Sequence, residues 1–144
     1  AEPGAEAAEA YAVCCGKAKL RINSPHLQKM KALHQMYSRG AEEGQFLRDL
    51  FCVLLRYETL QGGGFQAALP GPCFDVLLRH FDVRMELFAS PFNSRYSRFC
   101  SAFRDTDSVF GSLGSFFDFH PPEGAYEVNP PFVPEVVSRA AAHM

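Results

Sequence analysis

The sequence contains no tryptophan and no long apolar run, and its charges are nearly balanced. A transmembrane helix needs about 18 or more consecutive apolar residues, so we expect no membrane span and no membrane partner. No basic start followed by an apolar run opens the chain, so we also expect no signal peptide. The formal net charge is -2, with 14 Lys and Arg against 16 Asp and Glu. This balance disfavours a protein that binds polyanions by bulk charge, so any nucleic-acid contact must be local.

Cysteine is present, but without the spacing of a metal site or of a disulfide framework. The five cysteines are an odd number and include no C-x-x-C pair. No cysteine or histidine pair has the spacing of zinc ligands. Cys52, Cys73 and Cys100 lie in apolar runs, and we interpret them as small buried hydrophobic residues. The sequence therefore predicts no metal site and a reducing compartment, the cytosol or the nucleus.

The length of 144 residues, of which 47% are hydrophobic, suits one soluble domain with one core. Residues 1–23 are rich in alanine, and we predict that they form a disordered leader. Residues 24–70 are predicted as a helical region, because apolar residues recur at helical spacing over about 24–37 and 42–60. The triple glycine at 62–64 predicts a turn.

Residues 71–144 alternate between helical and strand patterns, which favours a parallel or mostly parallel α/β sheet. A helix that begins at Pro72 is followed by an alternating strand pattern at 83–88. The further predicted elements are a helix at about 91–104, short strands at 116–119 and 125–128, and a final helix from Pro134. The fold class predicted is therefore α/β with an N-terminal helical flank.

Two loops lie beyond the carboxyl ends of predicted strands, where ligands bind in an open α/β sheet. One spans residues 86–93, and the other is the tetrad Asn129, Pro130, Pro131 and Phe132. Prolines lack N–H donors, so this tetrad presents acceptors, the Asn129 side-chain oxygen and the Pro130 carbonyl, that fit the amino group of a nucleobase. Phe132 offers a flat face for base stacking, worth about 1–3 kcal/mol. A rigid turn is the structural alternative.

The tetrad, placed after a strand, resembles the catalytic motif of S-adenosylmethionine-dependent methyltransferases that act on adenine N6. Other motifs precede it in order, at residues 86–93 (ELFASPFN), 99–103, 105–107, 110–112 and 126–128. Two further stretches with the same resemblance lie upstream, at 56–60 and 66–70. Over roughly residues 46–133, their order and spacing resemble the cap-specific adenosine N6-methyltransferase family of the phosphorylated-CTD-interacting-factor type.

The resemblance implies a Rossmann-like methyltransferase core in residues 71–144 that binds S-adenosylmethionine. The loop of Phe88, Ala89, Ser90 and Pro91 would replace a glycine-rich cofactor loop. Asn129 and Pro130 would hold the target amine, followed by Pro131, with Phe132 stacked on the adenine. Asp118 and Glu86 have equal claims to bond the cofactor ribose. Arg95, Arg98 and Arg104 are candidates for RNA phosphate contacts, although the modest net charge favours a solvated helix face over that interpretation.

The family implies a substrate, the cap-adjacent 2′-O-methyladenosine of capped mRNA, and a nuclear location. Animal members carry a tryptophan-based WW module that binds phosphorylated polymerase tails, and the absence of tryptophan leaves that partner unsupported. The chain ends 12 residues after Phe132, where a complete sheet would continue, so we expect an incomplete core. Two alternatives stay open: an N6-adenine methyltransferase for other RNA or DNA, and a non-catalytic binding or scaffold module.

Overall fold

The structure, a computed structural model, describes residues 9–40, 42–60 and 68–144. The first eight residues of the predicted leader and the triple-glycine turn at 62–64 lie outside these ranges. Strands β1 (Ala10–Cys15) and β2 (Ala18–Asn23) form an antiparallel hairpin in which Ala10 pairs with Asn23. The prediction of disorder is therefore wrong for residues 10–23. The hairpin is ordered because Val13 and Ile22 pack against the helices that follow, which the alanine-rich composition does not indicate.

The helices predicted between residues 24 and 81 are confirmed as α1 (Ser24–Tyr37), α2 (Gln45–Glu58) and α3 (Gly71–Phe81). Asn23 caps α1, because its side chain accepts a hydrogen bond from the His26 amide at 2.8 Å. We call α1 and α2 together the helical flank. Their facing side chains form one hydrophobic core with β2, centred on Met30, Leu50 and Val53.

Residues 83–128 form what we call the bridged region, because parallel pairing there is limited to single bridges. Glu86 bridges to Phe99 on one side and to Glu127 on the other, and Phe99 bridges to Ser112. The full strands predicted at 83–88 and 125–128 are therefore wrong in extent. The spatial order of the extended segments is 112, 99, 86 and 127, all parallel, so their carboxyl ends meet at one edge.

Two other predicted elements of the bridged region are wrong. No helix covers residues 91–103, and the short α4 (Arg104–Asp107) follows, continued by a 3-10 turn, Ser108–Phe110. The strand predicted at 116–119 is a 3-10 turn, Phe116–Asp118, because the Ser115 side chain accepts a hydrogen bond from the Phe117 amide at 3.2 Å. Local side-chain bonds of this kind compete with extended structure.

The final helix predicted from Pro134 is confirmed as α5 (Pro134–His143). Its Ala140 packs with Leu87, Cys100 and Phe116 in a second hydrophobic core, which lies against the bridged segments. Among the cysteines, Cys100 is buried as predicted, whereas Cys52 and Cys73 are exposed on α2 and α3. The interpretation of those two as buried residues is therefore wrong, because a helix within an apolar run still has an outer face.

Candidate functional site

The two predicted loops leave the sheet from neighbouring segments. The Leu87 amide donates to the Glu127 carbonyl at 2.9 Å, and the Glu127 amide donates to the Met85 carbonyl at 3.0 Å. Neighbouring strands lie about 4.8 Å apart, so the chain after Leu87 and the chain after Glu127 emerge side by side. The structure therefore places the loop at 88–91 and the Asn129 tetrad at the same edge.

Internal hydrogen bonds fix the shape of the loop at 88–91. The Ala89 amide donates to the Cys100 carbonyl at 2.9 Å, and the Ser90 amide donates to Asn93 Oδ1 at 2.7 Å. The Ser90 hydroxyl also donates to Asn93 Oδ1, at 2.9 Å, and Pro91 is fully buried. Because two of its amides are already bonded within the protein, this loop differs from a glycine-rich loop that turns its amides toward a ligand.

Aromatic rings line one side of this loop. The ring of Phe88 lies 5.1 Å from that of Phe116 and 5.9 Å from that of Phe117, measured between centroids. The Arg139 guanidinium sits 4.4 Å over the Phe117 ring. Asp118 ends the 3-10 turn and is exposed. Asp118 therefore lies close in sequence to the aromatic cluster. The ribose hypothesis placed it on a strand, and it is not on one.

Glu86, the other ribose candidate, is only 3% exposed. Its Oε2 accepts hydrogen bonds from the Arg95 amide at 2.6 Å and from the Tyr96 amide at 3.1 Å. Burial raises the pKa of this carboxyl, and the two amide bonds and the nearby Lys29 oppose that effect. Glu86 is thus bound to the protein's own backbone beneath the loop.

The tetrad combines a half-buried start with an exposed end. Asn129, Pro130 and Pro131 are half-buried, whereas Phe132 is 88% exposed. The Val133 amide donates to the Pro131 carbonyl at 2.6 Å, which makes a tight turn centred on Phe132 and leaves its ring in solvent. Within the described ranges, the Asn129 side chain makes no hydrogen bond, so its amide is available to a ligand.

The predicted arginines do not share a helix face, because residues 95–98 are not helical. Arg98 lies 4.3 Å over the Tyr37 ring, and it therefore ties the bridged region to α1. Arg95 makes a loose ion pair with Asp75 of α3, at 3.8 Å, and its side chain is 55% exposed. Arg95 is therefore better placed than Arg98 to contact a phosphate.

Sequence reasoning named Glu86 but missed the second buried carboxyl, Glu127, beside it. Glu127 is 8% exposed and bridges to Glu86. Burial, with a smaller contribution from the Glu86 charge, raises the pKa of Glu127 to about 7. Ser94 Oγ and Tyr96 Oη are also buried, without a hydrogen-bond partner among the described residues. The sequence offered one clue, since each of the two predicted strands at 83–88 and 125–128 contains a glutamate among apolar residues.

A cavity of about 350 Å³ opens at the opposite edge of the bridged segments, and Phe81, Arg84, Gly124 and Tyr126 contribute to its lining. None of the predicted site residues lines it. Within the described ranges, no group of three or more His, Cys, Asp or Glu side chains is arranged to hold a metal ion. None of the helices described there has the length and apolar character to cross a membrane.

Comparison with known proteins identifies the family to which this arrangement belongs. The family described as "Phosphorylated CTD interacting factor 1 WW domain" matches residues 29–144, which include most of the helical flank and the whole tetrad. The chain belongs to this family. The resemblance inferred from the ordered motifs is thereby confirmed, and the match extends from the bridged region back into α1.

Two mammalian relatives carry a name that describes a reaction. The chain is 42% identical over 105 residues to the protein named mRNA (2'-O-methyladenosine-N(6)-)-methyltransferase in Homo sapiens, and equally to its namesake in Mus musculus. The alignment covers 69% of this chain and 15% of each relative. This chain therefore spans a small part of the proteins it matches. The family's description also names a CTD-interacting factor, so the lack of tryptophan does not by itself remove a polymerase tail from the possible partners.

Proposed function

We propose that this chain forms part of the catalytic centre of a methyltransferase that modifies adenine N6, with the cap-adjacent 2′-O-methyladenosine of mRNA as its substrate. The observation that carries the proposal is the side-by-side exit of the loop at 88–91 and the Asn129 tetrad from neighbouring parallel segments. The name of the relatives supports the reaction and the substrate. A nuclear location belongs to the same proposal, because the cap-adjacent nucleotide is the first one transcribed.

The order of the bridged segments supports a Rossmann-like core. Numbered along the chain, the segments around Glu86, Phe99, Ser112 and Glu127 lie in the spatial order 3-2-1-4. A doubly wound sheet begins with this order, and its ligands bind where the order reverses, between strands 1 and 4. Here that position lies between Glu86 and Glu127, from which the two loops emerge.

The residues at this edge fit S-adenosylmethionine, which supplies an electrophilic methyl group on a sulfonium. Phe88, backed by Phe116 and Phe117, offers an apolar wall suited to an aromatic ring. Ser94 Oγ is a buried hydroxyl without a partner in the described chain, as expected of a group that bonds a ligand. Since the Ala89 and Ser90 amides are already bonded, we assign the loop a role in shaping the pocket rather than in donating its amides.

The tetrad supplies the geometry that N6 methylation needs. The adenine amino lone pair is delocalised into the ring, so the nitrogen is a poor nucleophile until its two N–H groups are held. The Asn129 side-chain oxygen and the Pro130 carbonyl each accept one of those hydrogen bonds, and the exposed Phe132 ring stacks on the base. The held amine would then accept the methyl group as the S–C bond of the sulfonium breaks, and one amine proton would leave to water. Catalysis comes mainly from positioning.

The test uses the intact protein that carries this chain, with calorimetric binding of S-adenosylmethionine and methylation of capped RNA that starts with 2′-O-methyladenosine. We expect Asn129→Ala to lower kcat about 100-fold or more, because it removes one of the preorganised acceptors, with little change in cofactor affinity. Phe88→Ala is expected to weaken cofactor binding by up to about 10-fold.

Phe81→Ala is the matched control for the aromatic substitutions. Phe81 is 62% exposed and lies at the opposite edge of the bridged segments, so its loss should leave kcat and cofactor affinity unchanged. An Asn129→Ala protein that keeps the full rate would contradict the assigned role. A folded intact protein that binds no cofactor would favour the non-catalytic scaffold, and equal rates on uncapped RNA or DNA would favour the broader N6-adenine substrate.

A further inference from the structure

The Lys29 side chain extends from α1 to residues 92–94, which directly follow the loop at 88–91. Its Nζ donates to the Phe92 carbonyl at 3.1 Å and to the Ser94 carbonyl at 2.6 Å, across 63 and 65 residues of sequence respectively. The side chain is partly buried, and burial lowers the pKa of its ammonium to about 8. An ammonium that is removed from water and donates hydrogen bonds to two carbonyls makes a specific contact, unlike the flexible lysines of a solvated surface.

Glu86 holds the same loop from the opposite side. Its Oε2 accepts from the Arg95 and Tyr96 amides, directly after the two carbonyls that Lys29 binds. One cation therefore bonds acceptors at 92–94, and one anion bonds donors at 95 and 96. The two charges also attract each other, since the nearby Glu86 opposes the fall in the pKa of Lys29.

Residues 93 and 94, which lie between the contacts of Lys29 and Glu86, are hydrogen-bonded to Ser90 in the loop at 88–91. Asn93 accepts from Ser90, and the Ser94 amide donates to the Ser90 carbonyl at 3.0 Å. A shift at 92–96 would therefore be transmitted to Ser90 and Pro91. Since these residues form neither a helix nor a strand, the loop lacks a regular backbone ladder that could hold it without the two side chains.

We propose that Lys29 and Glu86 are positioning residues that act through the loop at 92–96 to set the affinity for S-adenosylmethionine. This inference rests on the proposed function. It also explains why the helical flank accompanies the bridged region, since α1 supplies one of the two charges. The pair acts by holding the backbone, and neither side chain needs to touch the cofactor.

The test compares Lys29→Met, Lys29→Arg and Lys31→Met in the intact protein. Met keeps an aliphatic stem of similar length without the charge, Arg keeps the charge, and Lys31 is an exposed neighbour on α1. We expect Lys29→Met to weaken S-adenosylmethionine binding about 10-fold or more and to speed hydrogen exchange at the amides of 94–96. Lys29→Arg should recover much of the affinity, and Lys31→Met should match the wild type. Rescue by Arg separates the charge from the packing of the stem.

Glu86→Gln provides a second, independent variant if Lys29→Met fails to fold. The amide oxygen still accepts from Arg95 and Tyr96 but lacks the charge, so a weakening of several-fold is expected. Unchanged cofactor affinity in Lys29→Met or in Glu86→Gln, measured in a wild-type protein that does bind the cofactor, overturns this inference alone. A wild type without cofactor affinity overturns the proposed function and this inference together, so the two failures are distinguishable.

Discussion

In the helical flank, order comes from apolar faces, whereas in the bridged region it comes as much from buried polar groups. Met30, Leu50 and Val53 are fully buried between α1 and α2. The bridged region instead buries Glu86, Glu127 and Asp107, and each of these carboxyls has a pKa raised by burial.

The two regions are nevertheless joined closely. The Tyr57 hydroxyl of α2 donates to Asp107 Oδ2 at 2.6 Å, and the fully buried Phe110 packs into the core of the flank. A buried charged group is costly unless its hydrogen bonds are satisfied, so a region built on such groups depends on its neighbours. The comparison therefore suggests that the flank is the supporting half and the bridged region the functional half.

The largest effect is expected from Phe110→Ala, which removes the ring that the bridged region inserts into the flank. Phe110 is fully buried and lies 5.6 Å from the His34 ring. We expect the free energy of unfolding to fall by about 3–5 kcal/mol, with both regions losing structure in one transition. Urea unfolding followed by circular dichroism measures this loss. Phe132→Ala, at an exposed ring, should change stability by less than about 0.5 kcal/mol, and two separate transitions would contradict the coupling.

An intermediate effect is expected from Glu127→Gln, and it depends on pH. A carboxyl whose pKa is raised on folding binds its proton more tightly in the folded state, so stability is full below the unfolded value and falls as the pH rises. For Glu127 that window runs from 4.5 to about 7. At pH 8 we expect Glu127→Gln to be more stable than the wild type by roughly 2–3 kcal/mol, with little difference at pH 4.

Denaturant titrations at several pH values test this prediction, with the exposed Glu123→Gln as the control. Glu86 keeps its own raised pKa, so the variant should retain a weaker fall in stability with pH. If the wild type and Glu127→Gln show identical stability at pH 8, the buried-carboxyl account of the bridged region is wrong.

The smallest effect is expected from Arg98→Gln, which removes a cation from the face of Tyr37. Such contacts contribute about 0.5–1 kcal/mol, and we expect a loss of stability of that size without a change in RNA affinity. Arg95→Gln should show the opposite pattern, with stability nearly unchanged and weaker RNA binding. Thermal melts and RNA titrations of the two variants separate the roles, and weaker RNA binding by Arg98→Gln alone would reverse the assignment.

The sequence-based predictions succeeded where the pattern was local. Helices α1, α2 and α3 follow from apolar spacing, and α1, α3 and α5 also have a proline at their starts. The helix predicted at 91–104 fails although its aromatic residues have helical spacing. Phe92 and Phe103 pack on Tyr57, while Tyr96 packs on Phe74. Periodicity cannot distinguish residues on one helix face from residues drawn to separate partners.

The candidate site was predictable in part for the same reason. The tetrad and the loop at 88–91 stand out as motifs, and their adjacency follows from the rule for parallel sheets. The contact of Lys29 with residues 92–94 was not predictable, because an isolated lysine on an amphipathic helix usually faces solvent. The hydrogen-bond partners of Lys29 are also backbone carbonyls far along the chain. The burial of Glu127 likewise depends on where Glu86 lies.

The bridge between Glu86 and Glu127 has a consequence for how the molecule is made. Contacts within α1 and α2 are short-range, and such contacts form early, whereas this bridge must wait until the segment around Glu127 has been synthesised. During synthesis the flank can therefore begin to assemble before the segment that carries the tetrad exists. The tetrad can take its place beside the loop at 88–91 only after that segment has been made, so this edge of the proposed site forms later than the flank.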